Sequence, residues 1–421
     1  MELLPIFLEI VNFTRFIISD SAFKLRAVIG NHFIRLRKMG FEDYMRYLIS
    51  TGRRSMQSEL SSYIRQIRGD QASYSKQAFS KQRQYIRPEA ILELLDVTTD
   101  RFYHRADFKK FHDFLVAAID GSKYNLPCTP ELREKYGEQT SSGEAQVQAL
   151  GSCLYDVLNG MVLHCLFDHC KSNERELAKK HIESLKNIPY DKFLLLFDRG
   201  YPSYELIETL QSKGFSYLMR CSAEFMKAFL PKEPDQIVRH AFNANKKNPV
   251  TMRIITLTLP SGDKEYLITD LLDDCYTMED FSELYHARWG IETQYGSLKN
   301  KFEIENFTGI SDIAIRQDYY ATMYLSNLAA VMIFEMQKSV QAARKETNQY
   351  QYRQNVNRTV QELRCNVVEM LLTDSPLLQN VILLKITSEL VRSVTPIRKG
   401  RSFPRKKRHK SVKFPQNMKQ G

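Results

Sequence analysis

The region from residue 114 to residue 219 alternates short apolar runs with helical segments, and this order constrains the fold more than any other feature of the chain. A first apolar run is followed by two more that meet at Asn159-Gly160, a dipeptide that strongly favours a hairpin turn. Two further runs then alternate with two helical segments. Three antiparallel strands followed by helix, strand, helix and strand predict a mixed α/β sheet.

Two of the predicted strands end in an aspartate. The strands are expected at 114–119, 152–158, 161–167, 193–197 and 215–219, and the helices at 173–185 and 203–214. Asp120 follows the first strand and Asp198 follows the fourth, which places both carboxylates at an edge of the sheet. Neighbouring strands would bring the two within reach of one metal ion. Apolar runs that end in Asp are also ordinary strand stops, so each residue alone is a weak signal.

The flanking regions have different patterns. Residues 1–105 read as short helices with polar faces rich in Arg, Lys, Ser and Gln, a pattern typical of a helix-turn-helix DNA reader and equally of a small helical bundle. Residues 222–276 alternate at period two and predict a β insertion. A long helix is expected from Thr277, which forms a capping box with Asp280, and further helices are expected at 313–335 and 360–372.

Positive charge is concentrated at the two ends of the chain. The formal net charge is +11, and residues 392–421 alone carry eleven Lys or Arg and no acid. Residues 1–88 are also basic, whereas the middle of the chain is acidic. Basic ends indicate a polyanionic partner, and an acidic middle can supply metal-binding carboxylates, although a solubilising charge distribution is the alternative for the N-terminal stretch.

Several classes of protein are disfavoured by the sequence. The seven cysteines show no Cys-x2-Cys spacing, which indicates a reducing compartment. A zinc site at His164-Cys165 and His169-Cys170 is disfavoured because neighbouring residues of a strand point to opposite faces. We predict neither a secretory signal nor a transmembrane helix, because the apolar runs are interrupted by polar residues.

The segment SELYHARWGIETQYGSLKNKF carries the sharpest chemical signal. On a continuous helix, its phenol, guanidinium, carboxylate and ammonium groups would lie within a stripe about 60° wide. These groups belong to Tyr285, Arg288, Glu292 and Lys299. A solvated helix face with an Arg288–Glu292 salt bridge is the alternative interpretation.

Taken together, these blocks resemble the DDE transposases of bacterial insertion sequences, specifically the insertion-sequence-four group with its Tyr-Arg-Glu-Lys signature. The resemblance covers nearly the whole chain and rests on the order and spacing of AAIDGSKYNLP, LLLFDRGYPSYELI, YHARWGIETQYGSLKNKFEIENFTG and the basic tail. It implies an RNase H-like (retroviral-integrase-like) mixed-sheet core with a β-strand insertion. An α-helical N-terminal DNA-binding domain and a helical, basic C-terminal region would flank this core.

The resemblance also implies roles for individual residues. Asp120, Asp198 and Glu292 would form the catalytic triad and hold two Mg²⁺ ions, with Mn²⁺ as a substitute. Oxygen ligands suit these ions, and two ions about 4 Å apart can serve both the attacking and the leaving oxygen. The expected DNA contacts are Tyr285, Arg288, Trp289, Lys299 and Arg199, the last as a second phosphate contact. Trp289 would stack on an extruded base, and a core aromatic is its alternative role.

We therefore expect a DNA transposase that binds terminal inverted repeats and carries out metal-dependent strand cleavage and strand transfer. Double-stranded DNA at the element ends and at the target would be its partner, and the resemblance implies a homodimer in a synaptic complex, in the bacterial cytoplasm at the nucleoid. An RNase H-like nuclease without strand transfer and a non-catalytic DNA-binding protein are the alternatives. A tyrosine recombinase and a glycosidase fit poorly. The expected domains are 1–105, 106–221, 222–276, 277–335, 336–391 and 392–421.

Overall fold

The structure of the chain is a computed structural model. It describes residues 4–35, 38–50, 55–69, 71–141, 144–227, 231–240, 249–258, 262–344 and 349–398. Most of the predicted basic tail, from residue 399 onward, lies outside these residues. In the part of the chain that is described, no helix is both long enough and apolar enough to cross a membrane.

The described part of the chain contains the predicted helices and strands of residues 114–219 together with elements, such as α7 (Pro130–Tyr136) and β2 (Glu138–Ser141), that the sequence patterns did not predict. The helices are α1 (Pro5–Ser19), α2 (Ser21–Ala27), α3 (Phe41–Ser50), α4 (Met56–Arg68), α5 (Lys76–Arg83), α6 (Glu89–Arg105), α7 (Pro130–Tyr136), α8 (Glu174–Ser184), α9 (Tyr204–Ser212), α10 (Ala223–Met226), α11 (Met278–Ala287), α12 (Trp289–Asn300), α13 (Asp312–Ala342), α14 (Val356–Leu372) and α15 (Pro376–Arg392). The strands are β1 (Leu115–Asn125), β2 (Glu138–Ser141), β3 (Glu144–Asp156), β4 (Met161–His169), β5 (Phe193–Phe197), β6 (Ser216–Cys221), β7 (Asp235–His240), β8 (Val250–Thr258), β9 (Lys264–Thr269), β10 (Gln351–Gln354) and β11 (Val394–Ile397).

The chain divides into two compact units. The helical unit comprises Met1–Ala106, Lys123–Ala149 and Gly296–Gly421, and the sheet unit comprises Asp107–Ser122 and Leu150–Tyr295. The N-terminal helices therefore share a unit with the C-terminal helices. The six domains expected from the sequence stay a prediction.

The sheet unit contains a mixed sheet with the strand order β4-β3-β1-β5-β6-β9-β8-β7. β1, β5 and β6 pair in parallel, with Leu115 opposite Phe193 and Leu194 opposite Ser216. β7, β8 and β9 pair antiparallel and continue the same sheet from the edge of β6, so the predicted β insertion extends the sheet. The mixed α/β class that the sequence predicts is confirmed. β5 is fully buried, as expected for a strand covered on both faces.

The hairpin between β3 and β4 is confirmed, and its turn contains Gly160 at a φ of 79°. In this left-handed region glycine is favoured because it has no Cβ. β3 is longer than predicted, since it begins at Glu144 rather than at residue 152.

β1 does not end at Asp120, and that detail of the sequence prediction is wrong. The strand continues to Asn125 because the long antiparallel strand β3 still offers it partners, as in the backbone hydrogen bond from Leu126 N to Val147 O. Asp120 therefore lies within β1, which continues beyond the end of its parallel neighbour β5. Asp198, in contrast, directly follows the last residue of β5, as predicted.

The helix expected from Thr277 onward is interrupted, and the expectation of one continuous helix is wrong. The capping box is present, with Thr277 N donating to Asp280 Oδ2 at 2.8 Å. α11 ends at Ala287 and α12 begins at Trp289, with Arg288 between them as the C-terminal cap of α11. Gly290 follows the break, and glycine costs a helix about 1 kcal/mol relative to alanine.

The helical unit is organised around α13, which is 31 residues long and buried along most of its length. α3, α6 and α14 pack against it. Arg83 at the end of α5 is fully buried in this unit and forms an ion pair with Asp318 at 2.9 Å. Within the same unit β2 pairs with the first residues of β3, and β10 pairs with β11.

Candidate active site

The two predicted aspartates lie near the end of the pairing between β1 and β5. Ala118 of β1 lies opposite Leu196 of β5 in parallel pairing. Asp120 and Asp198 each follow this pair by two residues, Asp120 still within β1 and Asp198 directly after β5. Adjacent strands are about 4.8 Å apart, so we expect the backbones of the two aspartates to be close.

Asp120 accepts hydrogen bonds at its backbone carbonyl oxygen and at its carboxylate. Its carbonyl oxygen accepts from Ser152 Oγ at 3.3 Å and from the hydroxyl of Tyr295, and its Oδ1 accepts from Gly121 N at 2.9 Å. Burial raises the pKa of the Asp120 carboxyl to about 6, opposed by the Gly121 hydrogen bond and Arg288 and assisted by Glu174 and Glu292. Burial is the main cause of this raised pKa, and a metal ion would offset the smaller part that comes from the neighbouring carboxylates.

Asp198 has two partners that come from distant parts of the sequence. Tyr285 of α11 donates its hydroxyl to Asp198 Oδ1 at 3.2 Å. The guanidinium of Arg220 in β6 lies 3.8 Å from the same oxygen and pairs with Glu265 of β9 at 2.7 Å. Tyr285 is buried, and burial raises the pKa of its phenol to about 12, so the group is neutral.

Arg288 connects the acidic residues of the site. Its Nη2 pairs with Glu292 Oε1 at 3.0 Å, and its side chain is 3% exposed whereas that of Glu292 is 41% exposed. Although burial lowers the pKa of Arg288, its interactions with Tyr285, Asp198 and Glu292 raise it above its ordinary value. The predicted Arg288–Glu292 salt bridge is thus present, but on a buried arginine rather than on a solvated helix face.

Two predicted DNA contacts lie at the surface. The Trp289 side chain is 44% exposed, and its ring stacks near His286 with 6.5 Å between the centroids. It is therefore not a core aromatic. Arg199, which follows Asp198, is also exposed.

Lys299 belongs to the helical unit. Its Nζ donates to the backbone oxygen of Lys123 at 2.6 Å and lies 4.9 Å from the centroid of the Tyr124 ring. The sheet unit thus contains Asp120, Asp198, Tyr285, Arg288 and Glu292, whereas Lys299 lies in the helical unit.

Sequence reasoning missed three residues of the site, Glu174, Tyr201 and Arg220. Glu174 lies in the first turn of α8, where acids commonly occur, so its sequence position gave no sign of a role at Asp120. A Cβ on Gly121 would lie 3.1 Å from Glu174 Oε1, which shows that this carboxylate packs against the backbone next to Asp120. Gly121 follows Asp120 in the sequence AAIDG and has no side chain. This glycine could have indicated that another group approaches the backbone closely there.

The donor set fits a hard cation by its chemistry. Asp120, Glu174 and Glu292 interact electrostatically, and carboxylate oxygens are the ligands that Mg²⁺ prefers. As placed, no three His, Cys, Asp or Glu side chains among the described residues form a group that could hold a metal ion. The Arg288 guanidinium pairs with Glu292 in this arrangement.

Comparisons with known proteins identify the family of the chain. A sequence model of the family described as "Transposase DDE domain" matches residues 111–328, about half of the chain, and this span includes Asp120, Asp198 and Glu292. The chain belongs to this family. Its transposase DDE domain thus contains the strands and helices that carry the candidate site.

Individual relatives are also transposases. The transposase InsG for insertion sequence element IS4 of Escherichia coli (strain K12) is 24% identical over 284 residues, which are 64% of this chain and 63% of InsG. The putative transposase InsZ of the same organism is 32% identical over 110 residues, 25% of this chain and 34% of InsZ. The match thus spans somewhat less than two thirds of the length of InsG. These similarities confirm the resemblance to the insertion-sequence-four group.

A solved structure shows a weaker similarity. The synaptic complex of the piggyBac transposase with hairpin DNA matches with a TM-score of 0.45 and 10% sequence identity. The match covers 93% of this chain and 83% of that chain.

Proposed function

We propose that the chain is a DNA transposase that binds the terminal inverted repeats of an insertion sequence and performs strand cleavage and strand transfer with Asp120, Asp198 and Glu292. The observation that supports the proposal is the position of Arg288 in the sheet unit, where it interacts electrostatically with all three carboxylates. The parallel pairing of β1 with β5, the strands that carry or precede Asp120 and Asp198, is consistent with it.

The core of the proposed enzyme is RNase H-like. The support for this is the partial strand order β4-β3-β1-β5-β6, in which the first three strands form an antiparallel set and the last three pair in parallel. α8 and α9 connect these strands in the order that the sequence predicts. Such a core presents carboxylates at the end of β5 and on the adjacent part of β1.

The reaction proposed for this site is phosphoryl transfer on DNA. A water oxygen would form a bond to phosphorus while the bond to the DNA 3′ oxygen breaks, and the freed 3′-hydroxyl would then attack target DNA in the same way. Two Mg²⁺ ions held by Asp120, Asp198 and Glu292 would supply activation of the attacking oxygen and stabilisation of the leaving oxygen. No covalent enzyme intermediate is required, so Tyr285 is not a nucleophile.

The residues around the triad would hold the DNA. Arg288 offers a forked guanidinium to a phosphate, and its Nε has no hydrogen-bond acceptor among the described residues. Tyr285 neighbours it, and Lys299 and Arg199 would add point charges along the backbone. The exposed indole of Trp289 is available to stack on an extruded base.

The remaining parts of the chain would act in recognition. The N-terminal helices would read the inverted repeats, and the basic tail would add salt-dependent attraction to phosphates. A homodimer would bridge two element ends in the synaptic complex. These events would take place in the bacterial cytoplasm at the nucleoid.

The direct test is cleavage of a labelled DNA end taken from the flanks of the element, in Mg²⁺ or in EDTA, with wild type and Glu292→Ala. We expect metal-dependent cutting at the terminus by wild type, none by Glu292→Ala, and equal gel-shift binding by both. Added target DNA should then yield strand-transfer products.

Two outcomes would contradict parts of the proposal. Cleavage without joined products would indicate a nuclease that lacks strand transfer. Binding without cleavage in any divalent metal would indicate a DNA-binding protein without catalysis.

A further inference from the structure

Four buried side-chain groups of the sheet unit have no hydrogen-bond partner among the described residues: the hydroxyls of Tyr201, Tyr217 and Thr256, and Nε of Arg288. Two of these groups, the Tyr201 hydroxyl and Arg288 Nε, interact electrostatically with Asp198 and its neighbours. Tyr201 is only 2% exposed, so bulk water does not satisfy its hydroxyl. An unsatisfied buried polar group costs about 1–3 kcal/mol, so such a group calls for an explanation.

The position of Tyr201 is fixed by the turn that follows β5. Its backbone N donates to the backbone oxygen of Asp198 at 3.0 Å, which closes a tight turn three residues after the second aspartate. Its ring packs against Phe197, the last residue of β5, with 5.5 Å between the centroids. Ser203 then caps α9 through its side chain. The phenol is thus held between a buried strand and a capped helix.

The surroundings of the Tyr201 hydroxyl are the acidic residues of the site. Burial raises the pKa of Tyr201 well above its ordinary value, and the charges of Glu174, Asp120 and Asp198 raise it further, whereas Arg288 lowers it. The phenol is therefore neutral and keeps its proton available for donation. Tyr201 and Arg288 also interact with one another, so the two unsatisfied donors belong to one site.

The Tyr201 hydroxyl is not among the donors to the carboxylates of the site. Asp198 Oδ1 accepts from Tyr285, and Asp120 Oδ1 accepts from Gly121 N. An acceptor shared by a neutral phenol and a guanidinium is expected to be an anionic oxygen. A DNA phosphate carries such oxygens, and it is the substrate class that the proposed function brings to this site.

We propose that Tyr201 is a further catalytic residue, whose hydroxyl donates a hydrogen bond to a non-bridging oxygen of the DNA phosphate that is cut. This inference rests on the proposed function. The tyrosine keeps its proton throughout, while the bond from the attacking oxygen to phosphorus forms and the bond to the 3′ oxygen breaks. A fixed donor stabilises the negative charge of the transition state without reorganising.

Tyr217 provides a matched control in the same unit. Its hydroxyl is also buried and without an acceptor among the described residues, but the charged neighbour that acts on it is Asp270, away from the triad. The variants Tyr201→Phe and Tyr217→Phe therefore remove the same kind of group from two different places. Neither variant should lower the melting temperature, because each removes an unsatisfied hydroxyl.

The test is single-turnover cleavage of a labelled element end by wild type and both variants, with gel-shift binding and a Mg²⁺ titration. We expect Tyr201→Phe to cut about 100-fold more slowly at saturating Mg²⁺, with unchanged end binding, and Tyr217→Phe to cut as wild type does. Replacing one non-bridging phosphate oxygen by sulfur, a weaker acceptor, should slow wild type more than Tyr201→Phe. A purely structural tyrosine would not produce that difference.

The opposing results are distinct. Equal rates for wild type and Tyr201→Phe would overturn the inference and leave the proposed function intact. A Tyr201→Phe defect that disappears at saturating Mg²⁺, or an equal defect in Tyr217→Phe, would also overturn the inference. A wild-type protein that binds ends and never cuts would overturn both.

Discussion

Arg83 of the helical unit and Arg288 of the sheet unit are both almost completely buried, with side-chain exposures of 1% and 3%. Arg83 donates from Nε to Gln317, from Nη1 to Thr308, and from Nη2 to Asp318 and the Ala314 carbonyl. Arg288 makes one ion pair, with a half-exposed Glu292, and its Nε lacks an acceptor among the described residues.

The two arginines differ in how fully the described residues satisfy their hydrogen-bond donors. The partners of Arg83 are as buried as the arginine itself, and Asp318 also accepts from Thr308 N, so the network is satisfied within the protein. Around Arg288 the carboxylates repel one another and two donors are left over. Groups arranged in this second way are expected where a substrate or an ion completes the set.

The largest effect that we expect on stability comes from Arg83→Met. The substitution leaves the Asp318 carboxylate buried without its counter-ion, which should lower the free energy of unfolding by about 3–5 kcal/mol. Denaturant titration measures this loss. Arg26→Met is the control, because Arg26 pairs with Glu93 at the surface of the same unit, so its loss should change the free energy of unfolding much less. Similar losses for the two variants would contradict the structural role of Arg83.

Arg288→Met should lower the rate of cleavage strongly and the free energy of unfolding only slightly. We expect cleavage to fall about 100-fold, because a donor to the phosphate is lost. The loss of stability should be much smaller than for Arg83→Met, because the partner left behind, Glu292, is 41% exposed. Cleavage assays and denaturant titration on the same preparation measure both quantities. A variant that loses stability but cleaves DNA at the wild-type rate would assign Arg288 a structural role instead.

The pH dependence of cleavage tests the role of Asp120 in the candidate site. Asp120 has a pKa of about 6 because it is buried, so it is protonated below that pH and cannot hold a cation. At a limiting Mg²⁺ concentration we expect the rate to fall about tenfold per pH unit below 6 and to level off above it. Stability should change in the other direction. The folded state binds the Asp120 proton more tightly than the unfolded chain does, so the contribution of this group decreases as the pH rises through about 6.

Glu174→Gln tests whether the step in the pH profile, the fall in cleavage rate below pH 6, arises from Asp120. Removing the Glu174 charge removes one cause of the raised pKa of Asp120, so the step should move to lower pH. Asp113→Asn is the control, because Asp113 lies at the surface and pairs with Lys192. A step that stays in place in Glu174→Gln, or that moves equally in the control, would exclude Asp120 as its origin.

The smallest effect is expected from Trp289→Ala. The exposed indole contributes little to the core, so the melting temperature should stay the same. Loss of stacking on a base should weaken cleavage-competent binding of the element end by about 1 kcal/mol, which is about fivefold. Fluorescence of a base analogue at the terminal nucleotide reports this contact. An unchanged signal in Trp289→Ala would place the base elsewhere.

Much of the fold and part of the site follow from local sequence patterns. The buried runs of β1 and β5, the Asn159-Gly160 turn and the Thr277 cap are specified by neighbouring residues, so they could be predicted. The adjacency of Asp120 and Asp198 needed only the assumption that their strands pair. The site residues missed by the sequence analysis depend on tertiary contacts instead. Glu174 looks like any acid in a first helical turn, and the turn after β5 alone does not show where the Tyr201 hydroxyl lies.

The sequence patterns also did not show which side chains of the site are buried. The spacing of Tyr285, Arg288 and Glu292 is compatible with a solvated face and with a buried one, and the break at Arg288 changes the geometry of the stripe. The boundary of β1 was missed because the length of its partner β3, and not the Asp120 position, determines where pairing ends.

The central claim is that Asp120, Asp198 and Glu292 form one metal site. Calorimetric titration of the full chain with Mn²⁺ tests it most directly, using wild type and the single variants Asp120→Asn, Asp198→Asn and Glu292→Gln, with Asp113→Asn as the control. We predict that each triad variant weakens or abolishes the same binding event that wild type and the control show. Unchanged Mn²⁺ affinity and stoichiometry in all three triad variants would contradict the account.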